Sequence, residues 1–255
     1  MKIHEILERV NSFAPFELAE TWDNSGLMIR DPEAEVTRLG LSLDPLPGAV
    51  EEARVKGCQC LLSHHPLFFK PIKILDTALN TGHVAWLAAR AGMSIISAHT
   101  NWDKAESGVN KILAQKIGLT DIVPLDHSGI GSVGNLLSPA PVIEFLEKIK
   151  RAWSLTRIDY YGKAERSILR VALCGGAGGD FWSNALSAKA DIYITADIKY
   201  HELLDCAAAG LSVAAVDHGE MEGATMADLA ERMAAPGKLD VILLDYRGLG
   251  SPIRL

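Results

Sequence analysis

The most restrictive feature of this chain is a regular alternation of short apolar runs with longer amphipathic stretches. The apolar runs have the length of buried strands and lie at 39–43, 58–63, 93–98, 168–174, 191–195, 211–216 and 241–244. Helix-like patterns occur at 2–13, 47–56, 80–91, 111–117, 141–152, 181–188 and 222–234. Strands that alternate with helices of about 8–15 residues are typical of α/β proteins with mixed or parallel sheets. We therefore predict an α/β fold.

One segment, 124–141, is rich in Gly, Pro and Ser and predicts a crossing between two α/β lobes. A return crossing near residue 215 has no change in composition to mark it. We expect a discontinuous first lobe, 1–127 plus 217–255, and a second lobe, 128–216.

Composition indicates a globular protein and argues against some partners. Hydrophobic residues make up 48% and charged residues 22% of the 255 residues, which is enough to fill a core. The net charge of −7 (25 basic against 32 acidic residues) lacks the broad basic surface that nucleic-acid binding usually needs. The N-terminus lacks the pattern of a signal peptide, and no apolar stretch approaches the roughly 20 residues that span a bilayer. We therefore expect no nucleic-acid or membrane partner.

Cysteine usage indicates the compartment. Cys58, Cys60, Cys174 and Cys206 lie in or near apolar segments and are not spaced as a disulfide framework or a zinc knuckle. We interpret them as buried thiols of a cytoplasmic protein.

The first segment with chemical potential is His64-His65-Pro66, directly after an apolar run. In open α/β sheets, ligands bind outside the carboxyl ends of strands. Two adjacent side chains of a strand point to opposite faces, so these histidines could more easily serve two neighbouring ions than one. The alternative is a pair of surface loop histidines.

A second and a third segment have the same arrangement of polar groups after an apolar run. His99 and Asp103 are four residues apart, and so are His218 and Glu222, which places each pair on one face of a helical turn. The alternatives are an aspartate helix cap for the second segment and a solvated acidic helix start for the third. Together the three segments supply imidazoles and carboxylates for a two-metal site, in which a glutamate can bridge both ions.

Two further segments are weaker. The glycine-rich turn at 174–180 could bind a phosphate through backbone N–H groups, but it matches neither standard phosphate motif and is equally a tight turn. Segment 193–201, which ends in His201, follows another apolar run and is interpreted as a wall that orients ligands or contacts substrate. A serine hydrolase has little support because the chain has no GxSxG elbow.

Six motifs in order resemble one known family. They are LAETWDNSGL at 18–27, HHPLFF at 64–69, HTNWD at 99–103, CGGAGG at 174–179, TADIKYH at 195–201 and HGEME at 218–222. In this combination the chain resembles the dinuclear-metal-centre family known as GTP cyclohydrolase I type 2 homologues, or Nif-three-like proteins.

The resemblance implies two interlinked α/β lobes with mixed sheets and a metal site in the cleft between them. It implies two divalent ions per chain, Zn, Fe, Mn or Ni, and a ring-shaped homohexamer. The implied metal ligands are His64, His65, Asp103, His218 and Glu222. His99 is implied beside them, as a ligand or as a residue that orients one.

Three departures from the family pattern affect the surroundings of the ligands. Ser63 stands where the family usually has Asp, and Ser132 stands where it often has Arg. The last motif reads DHGEME where the family prefers GHYxTE. These changes fall on groups expected to face the substrate or to orient the ligands, and they retain the metal ligands.

The sequence therefore predicts a dinuclear metal-dependent hydrolase that resembles GTP cyclohydrolase, acting on an unidentified small molecule. His99 or His201 is expected to transfer protons or to hold a substrate oxygen. The alternative is a protein that binds or handles metal, or regulates a partner, without catalysis.

Overall fold

The computed structural model describes residues 1–31, 34–234, 237 and 239–245. The chain forms two compact units. Unit 1 consists of Met1–Trp102 together with the described residues from Met226 onward, and unit 2 consists of Asp103–Thr225. The predicted lobe limits at 127/128 and 216/217 differ from these positions and stay a prediction.

Within the described ranges, helices are interspersed with strands along the whole chain. The α-helices are α1 (Ile3–Phe13), α2 (Pro47–Val55), α3 (Asn80–Ala91), α4 (Thr100–Lys104), α5 (Val109–Lys116), α6 (Val142–Ala152), α7 (Trp182–Ser187), α8 (Tyr200–Ala208), α9 (His218–Gly223) and α10 (Met226–Ala234). The strands are β1 (Gly26–Ile29), β2 (Arg38–Ser42), β3 (Cys60–Ser63), β4 (Ser94–Ser97), β5 (Thr120–Val123), β6 (Ser132–Pro141), β7 (Ile158–Tyr161), β8 (Ser167–Cys174), β9 (Ile192–Thr195), β10 (Ser212–Val216) and β11 (Asp240–Leu243).

Unit 1 contains a mixed sheet in the order β1-β4-β3-β2-β11. Strands β4, β3, β2 and β11 are parallel, and β1 is antiparallel to β4. Every residue of β3 and β4 is buried, which explains their apolar sequences, since parallel strands are usually covered on both faces. The core includes Leu61 and Ile95, both fully buried.

Unit 2 contains a second mixed sheet in the order β5-β6-β8-β9-β10-β7. Strands β8, β9 and β10 are parallel, and the outer pairings are antiparallel. Its core includes Tyr193, fully buried with its hydroxyl donating a hydrogen bond of 2.5 Å to the Gly178 carbonyl.

The α/β prediction is confirmed, and each of the seven apolar runs contains a strand. Segment 124–141 is not a simple connection, because its second half is strand β6, which pairs with β5 and β8. The four cysteines are buried free thiols. Among the described residues, the helices are too short or too polar to cross a membrane.

Candidate metal centre

In unit 1, three histidines follow the carboxyl ends of two adjacent parallel strands. Strands β3 and β4 are in register at Ser63 and Ser97, so the residues after them meet at one edge of the sheet. The ring centroids of His64 and His65 are 5.0 Å apart, and those of His64 and His99 are 5.3 Å apart. One ligand atom from each of the three rings lies within 4.8 Å of the others. We call these residues the imidazole cluster.

Hydrogen bonds from two serine hydroxyls to backbone carbonyls hold this edge of the sheet in place. The Ser63 hydroxyl donates to the His65 carbonyl at 2.7 Å, and the Ser97 hydroxyl donates to the His64 carbonyl at 2.7 Å. Ser63 therefore stabilises the turn that carries the paired histidines.

Each ring of the imidazole cluster presents Nδ1 to an oxygen acceptor. The acceptors are the Ala98 carbonyl for His64 (2.9 Å), Asp44 Oδ1 for His65 (2.7 Å) and Asp23 Oδ1 for His99 (2.8 Å). A carbonyl or carboxylate oxygen accepts, so Nδ1 carries a proton, and in the neutral ring Nε2 carries the lone pair. This is the orientation that metal-binding histidines require.

Asp23 is the centre of a small polar network. Burial of the carboxyl opposes ionisation, but hydrogen bonds from His99, from the Thr100 hydroxyl (2.6 Å) and from the Ser25 hydroxyl (2.7 Å) outweigh it and lower the pKa of Asp23. Asp23 therefore stays a carboxylate and fixes the proton on His99 Nδ1.

Unit 2 builds a second cluster at the carboxyl ends of its own parallel strands. Asp217 follows β10 and caps α9, because its carboxylate accepts a hydrogen bond of 2.9 Å from the Glu220 amide. The helix that begins at His218 brings Glu222 one turn onward, and His218 Nε2 lies 3.0 Å from Glu222 Oε2. An oxygen of Asp103 lies within 4.8 Å of one from Glu222. We call Asp103, His218 and Glu222 the carboxylate cluster.

His218 is oriented in the same manner as the other rings. Its Nδ1 donates to Asp197 Oδ2 at 2.7 Å, and Asp197 follows strand β9, the neighbour of β10. With the proton on Nδ1, the Nε2 lone pair of His218 faces the buried carboxylate of Glu222. Two electron-rich groups at 3.0 Å need a proton or a metal cation near both.

The glycine-rich turn after β8 lies directly against this cluster. Gly176 has a φ of +63°, and a Cβ added to it would lie 2.2 Å from Glu222 Oε1 and 3.1 Å from His218 Nε2. Only glycine allows this close approach. The glycine-rich turn is therefore better explained by packing against Glu222 than by the phosphate binding considered from the sequence.

The predicted site residues thus fall into these two clusters, with one exception. His201 is exposed on the first turn of α8, with its ring 5.6 Å from Tyr200, and belongs to neither cluster. The sequence did not single out Asp23 and Asp44 as orienting residues. Asp23 lies within the 18–27 motif, and Asp44 lies two residues after the end of β2.

Neutral imidazoles and carboxylates, with each ring oriented through Nδ1, are the donors that Zn, Fe, Mn and Ni accept in proteins. The residues present therefore fit divalent metal ions.

The fold and these donors together define a class: an α/β protein of two units that carries groups able to hold metal at the carboxyl ends of its strands. The sequence profile of the Duf34/NIF3 (NGG1p interacting factor 3) family matches residues 1–247. The chain belongs to this family.

One curated relative and two solved structures illustrate what the chain and its fold are similar to. Over 216 residues the chain is 38% identical to a "GTP cyclohydrolase 1 type 2 homolog" of Lactococcus lactis, with 83% of each chain covered. A crystal structure of a Bacillus cereus protein related to NIF3 superposes with a TM-score of 0.93 at 20% identity, covering 100% of this chain and 99% of that one. A hypothetical protein of Staphylococcus aureus superposes with a TM-score of 0.89 at 26% identity, over 100% and 99% of the two chains.

Proposed function

We propose that this protein binds two divalent metal ions through His64, His65, Asp103, His218 and Glu222 and uses them in hydrolysis. The observation that carries the proposal is the shared orientation of the histidines. Four rings, those of the imidazole cluster and His218, each donate Nδ1–H to a carboxylate or carbonyl within 2.9 Å. A structural core histidine needs no such common orientation, whereas a set of metal ligands does.

The number and type of ligands support two ions. Five donors exceed the three that a four-coordinate catalytic ion uses when it keeps one open position. Glu222 can bridge two cations through its two oxygens, which an imidazole cannot do. The donor set suits Zn, Fe, Mn and Ni alike.

When bound, a pair of divalent ions supplies Lewis-acid activation of water and of a substrate oxygen. The protein's own contribution to proton transfer is best supplied by His99. Its Nδ1–H is held by the ionised, buried Asp23, so its Nε2 is a base of fixed direction within the imidazole cluster. His201 is a second candidate, for holding a substrate oxygen.

The name of the Lactococcus lactis relative supports a cyclohydrolase reaction, in which water attacks C8 of the purine of GTP and the ring opens. We propose this reaction class with a small-molecule substrate. The alternative is a non-enzymatic protein that stores or transfers metal, which the same ligands would serve.

We also propose a cytoplasmic homohexamer. Four buried free thiols fit a reducing compartment. Exposed apolar side chains such as Leu137, 88% exposed, and Ile74, 79% exposed, fit surfaces that a further copy covers. Light scattering at micromolar concentration should give the mass of six chains, and a stable monomer would contradict the assembly alone.

The deciding experiment measures metal and turnover on the same preparation. Protein purified without chelator or nickel resin, then loaded separately with Zn²⁺, Mn²⁺, Fe²⁺ or Ni²⁺, should hold about two ions per chain by elemental analysis. Each loaded form is then assayed against GTP, other nucleotides, phosphoesters and amides.

If the wild type turns over a substrate, and His99→Asn abolishes this turnover while two ions remain bound, the result would support the hydrolase. Two ions without turnover on any substrate would favour the metal-handling alternative. At most one ion at saturation would overturn the dinuclear proposal.

A further inference from the structure

Two large aromatic side chains stand exposed beside the imidazole cluster. Trp22 is 57% exposed and Phe69 is 49% exposed, and their ring centroids are 5.7 Å apart with an interplanar angle of 57°. Both rings lie 6.4 Å from the His99 ring, each at 75° to it. Adjacent exposed apolar side chains bordered by polar groups can mark a ligand-binding groove.

These rings sit on backbone that is held firmly. Next to Trp22, the Asp23 carboxylate accepts hydrogen bonds from the Thr100 amide and hydroxyl, which fixes the first loop to α4. The Asn24 side-chain amide donates to the Phe68 carbonyl at 2.5 Å, which ties the first loop to the loop of Phe69. The two rings are therefore exposed and pre-positioned, the condition in which binding costs least conformational entropy.

The space beside Phe69 is large enough for a ligand. Phe69 and His65 both line an open cavity of about 390 Å³, together with Lys70 and Asp44. The cavity therefore runs from Phe69 to the imidazole cluster, because His65 lines the cavity and is a member of that cluster.

We propose that Trp22 and Phe69 form a subsite for a planar aromatic ring of the substrate. Aromatic faces attract flat π-systems in offset-stacked or edge-to-face geometry, and they discriminate against puckered rings of the same carbon skeleton. The proposal rests on the proposed function, since it names the substrate class of the same site. Trp22 and Phe69 determine which molecules bind there and take no part in bond breaking.

The probes are naphthalene-2-carboxylate and its saturated analogue decahydronaphthalene-2-carboxylate, which share a carboxylate but differ in planarity. Binding to the zinc-loaded full chain is measured by calorimetry for wild type, Trp22→Leu and Phe69→Leu. The matched control is Trp86→Leu, because Trp86 is 50% exposed on α3 and makes no ring contact to His99 among the described residues. Zinc content and light-scattering mass are recorded for every variant.

We expect wild type to bind the flat probe about tenfold more tightly than the saturated one. Trp22→Leu and Phe69→Leu should each weaken the flat probe about five- to tenfold, with the saturated probe, zinc content and mass unchanged. Trp86→Leu should match wild type.

Three results would overturn the subsite. The first is equal binding of both probes by wild type. The second is a loss of affinity for the flat probe in Trp86→Leu equal to that in Trp22→Leu. The third is a change of light-scattering mass in Trp22→Leu, which would assign the aromatic pair to contact with a second copy. Absence of zinc from wild type together with retained preference for the flat probe would remove the proposed metal function and leave the subsite standing.

Discussion

Asp197 accepts a hydrogen bond from His218 Nδ1 at 2.7 Å, and it does so from a left-handed backbone with a φ of +47°. Residues other than glycine adopt this conformation rarely, and aspartate and asparagine do so most readily. The backbone at Asp197 is therefore slightly strained where its carboxylate reaches the ring of a proposed metal ligand, and such strain is a known tendency of functional sites.

Removal of the Asp197 carboxylate should weaken metal binding. In Asp197→Ala the His218 ring loses its orienting acceptor, and we expect zinc affinity to fall about 10–100-fold by competition with a chromophoric chelator. Asp197→Asn retains an acceptor oxygen and tolerates positive φ, so its loss should be smaller.

The control for this comparison is Asp180→Ala. Asp180 is an exposed carboxylate in unit 2 that pairs with Lys199 at 3.3 Å. A loss in Asp180→Ala equal to that in Asp197→Ala would mean that general charge, and not the contact with His218, sets the affinity.

The strands that could be predicted from sequence are those in which every position along the strand is buried. Central parallel strands such as β3 and β4 are apolar along their whole length, because both faces are covered. Strands β1, β5, β6 and β7 were not predicted. They pair antiparallel and lack a continuously buried apolar run; in β5, for example, half-buried positions alternate with exposed ones. In β6 the Gly, Pro and Ser residues indicated a loop, whereas pairing to two neighbours overrides that local preference.

Only some residues of the candidate site could likewise be identified from the sequence. His64, His65, His99 and His218 could be named from sequence because each follows an apolar strand. The partners that orient them could not, since the pairs His99–Asp23 and His65–Asp44 are 76 and 21 residues apart and are formed only by the sheet.

The register of α9 leads to a second prediction. Glu222 is buried and faces His218, whereas the Glu220 carboxylate accepts a hydrogen bond of 2.8 Å from the Thr156 amide. Glu222→Gln should therefore remove most of the bound metal, and Glu220→Gln should retain about two ions per chain by elemental analysis. Equal metal content in the two variants would show that Glu222 is not a ligand.

The contact between Gly176 and the carboxylate cluster leads to a third prediction. In Gly176→Ala the new methyl would lie 2.2 Å from Glu222 Oε1, so Glu222 has to move and metal content should fall. The strain of positive φ alone costs about 1–2 kcal/mol of unfolding free energy.

Gly210→Ala separates these two effects. Gly210 has a φ of +75° with open space around its Cβ position, so this variant should lose similar stability in urea unfolding and keep its metal. A normal metal content in Gly176→Ala would indicate that Glu222 can be displaced without consequence.

The last prediction concerns pH and the Asp23 network. Burial opposes ionisation of Asp23, but hydrogen bonds from His99, Thr100 and Ser25 lower the pKa of its carboxyl below the ordinary value near 3.9. A carboxyl with a lowered pKa in the folded state adds stability at every pH above the unfolded-state pKa and loses it as pH falls through the folded-state pKa.

Asp23→Asn cannot ionise, so we expect it to be less stable than wild type by about 2 kcal/mol at pH 7. The difference should shrink below about pH 4, as protonation of Asp23 becomes thermodynamically coupled to unfolding. Urea unfolding of metal-free protein in EDTA at several pH values measures this difference, and Asp121→Asn, at an exposed position, serves as the control. A stability difference that does not shrink below about pH 4 would mean that these contacts do not lower the pKa of Asp23.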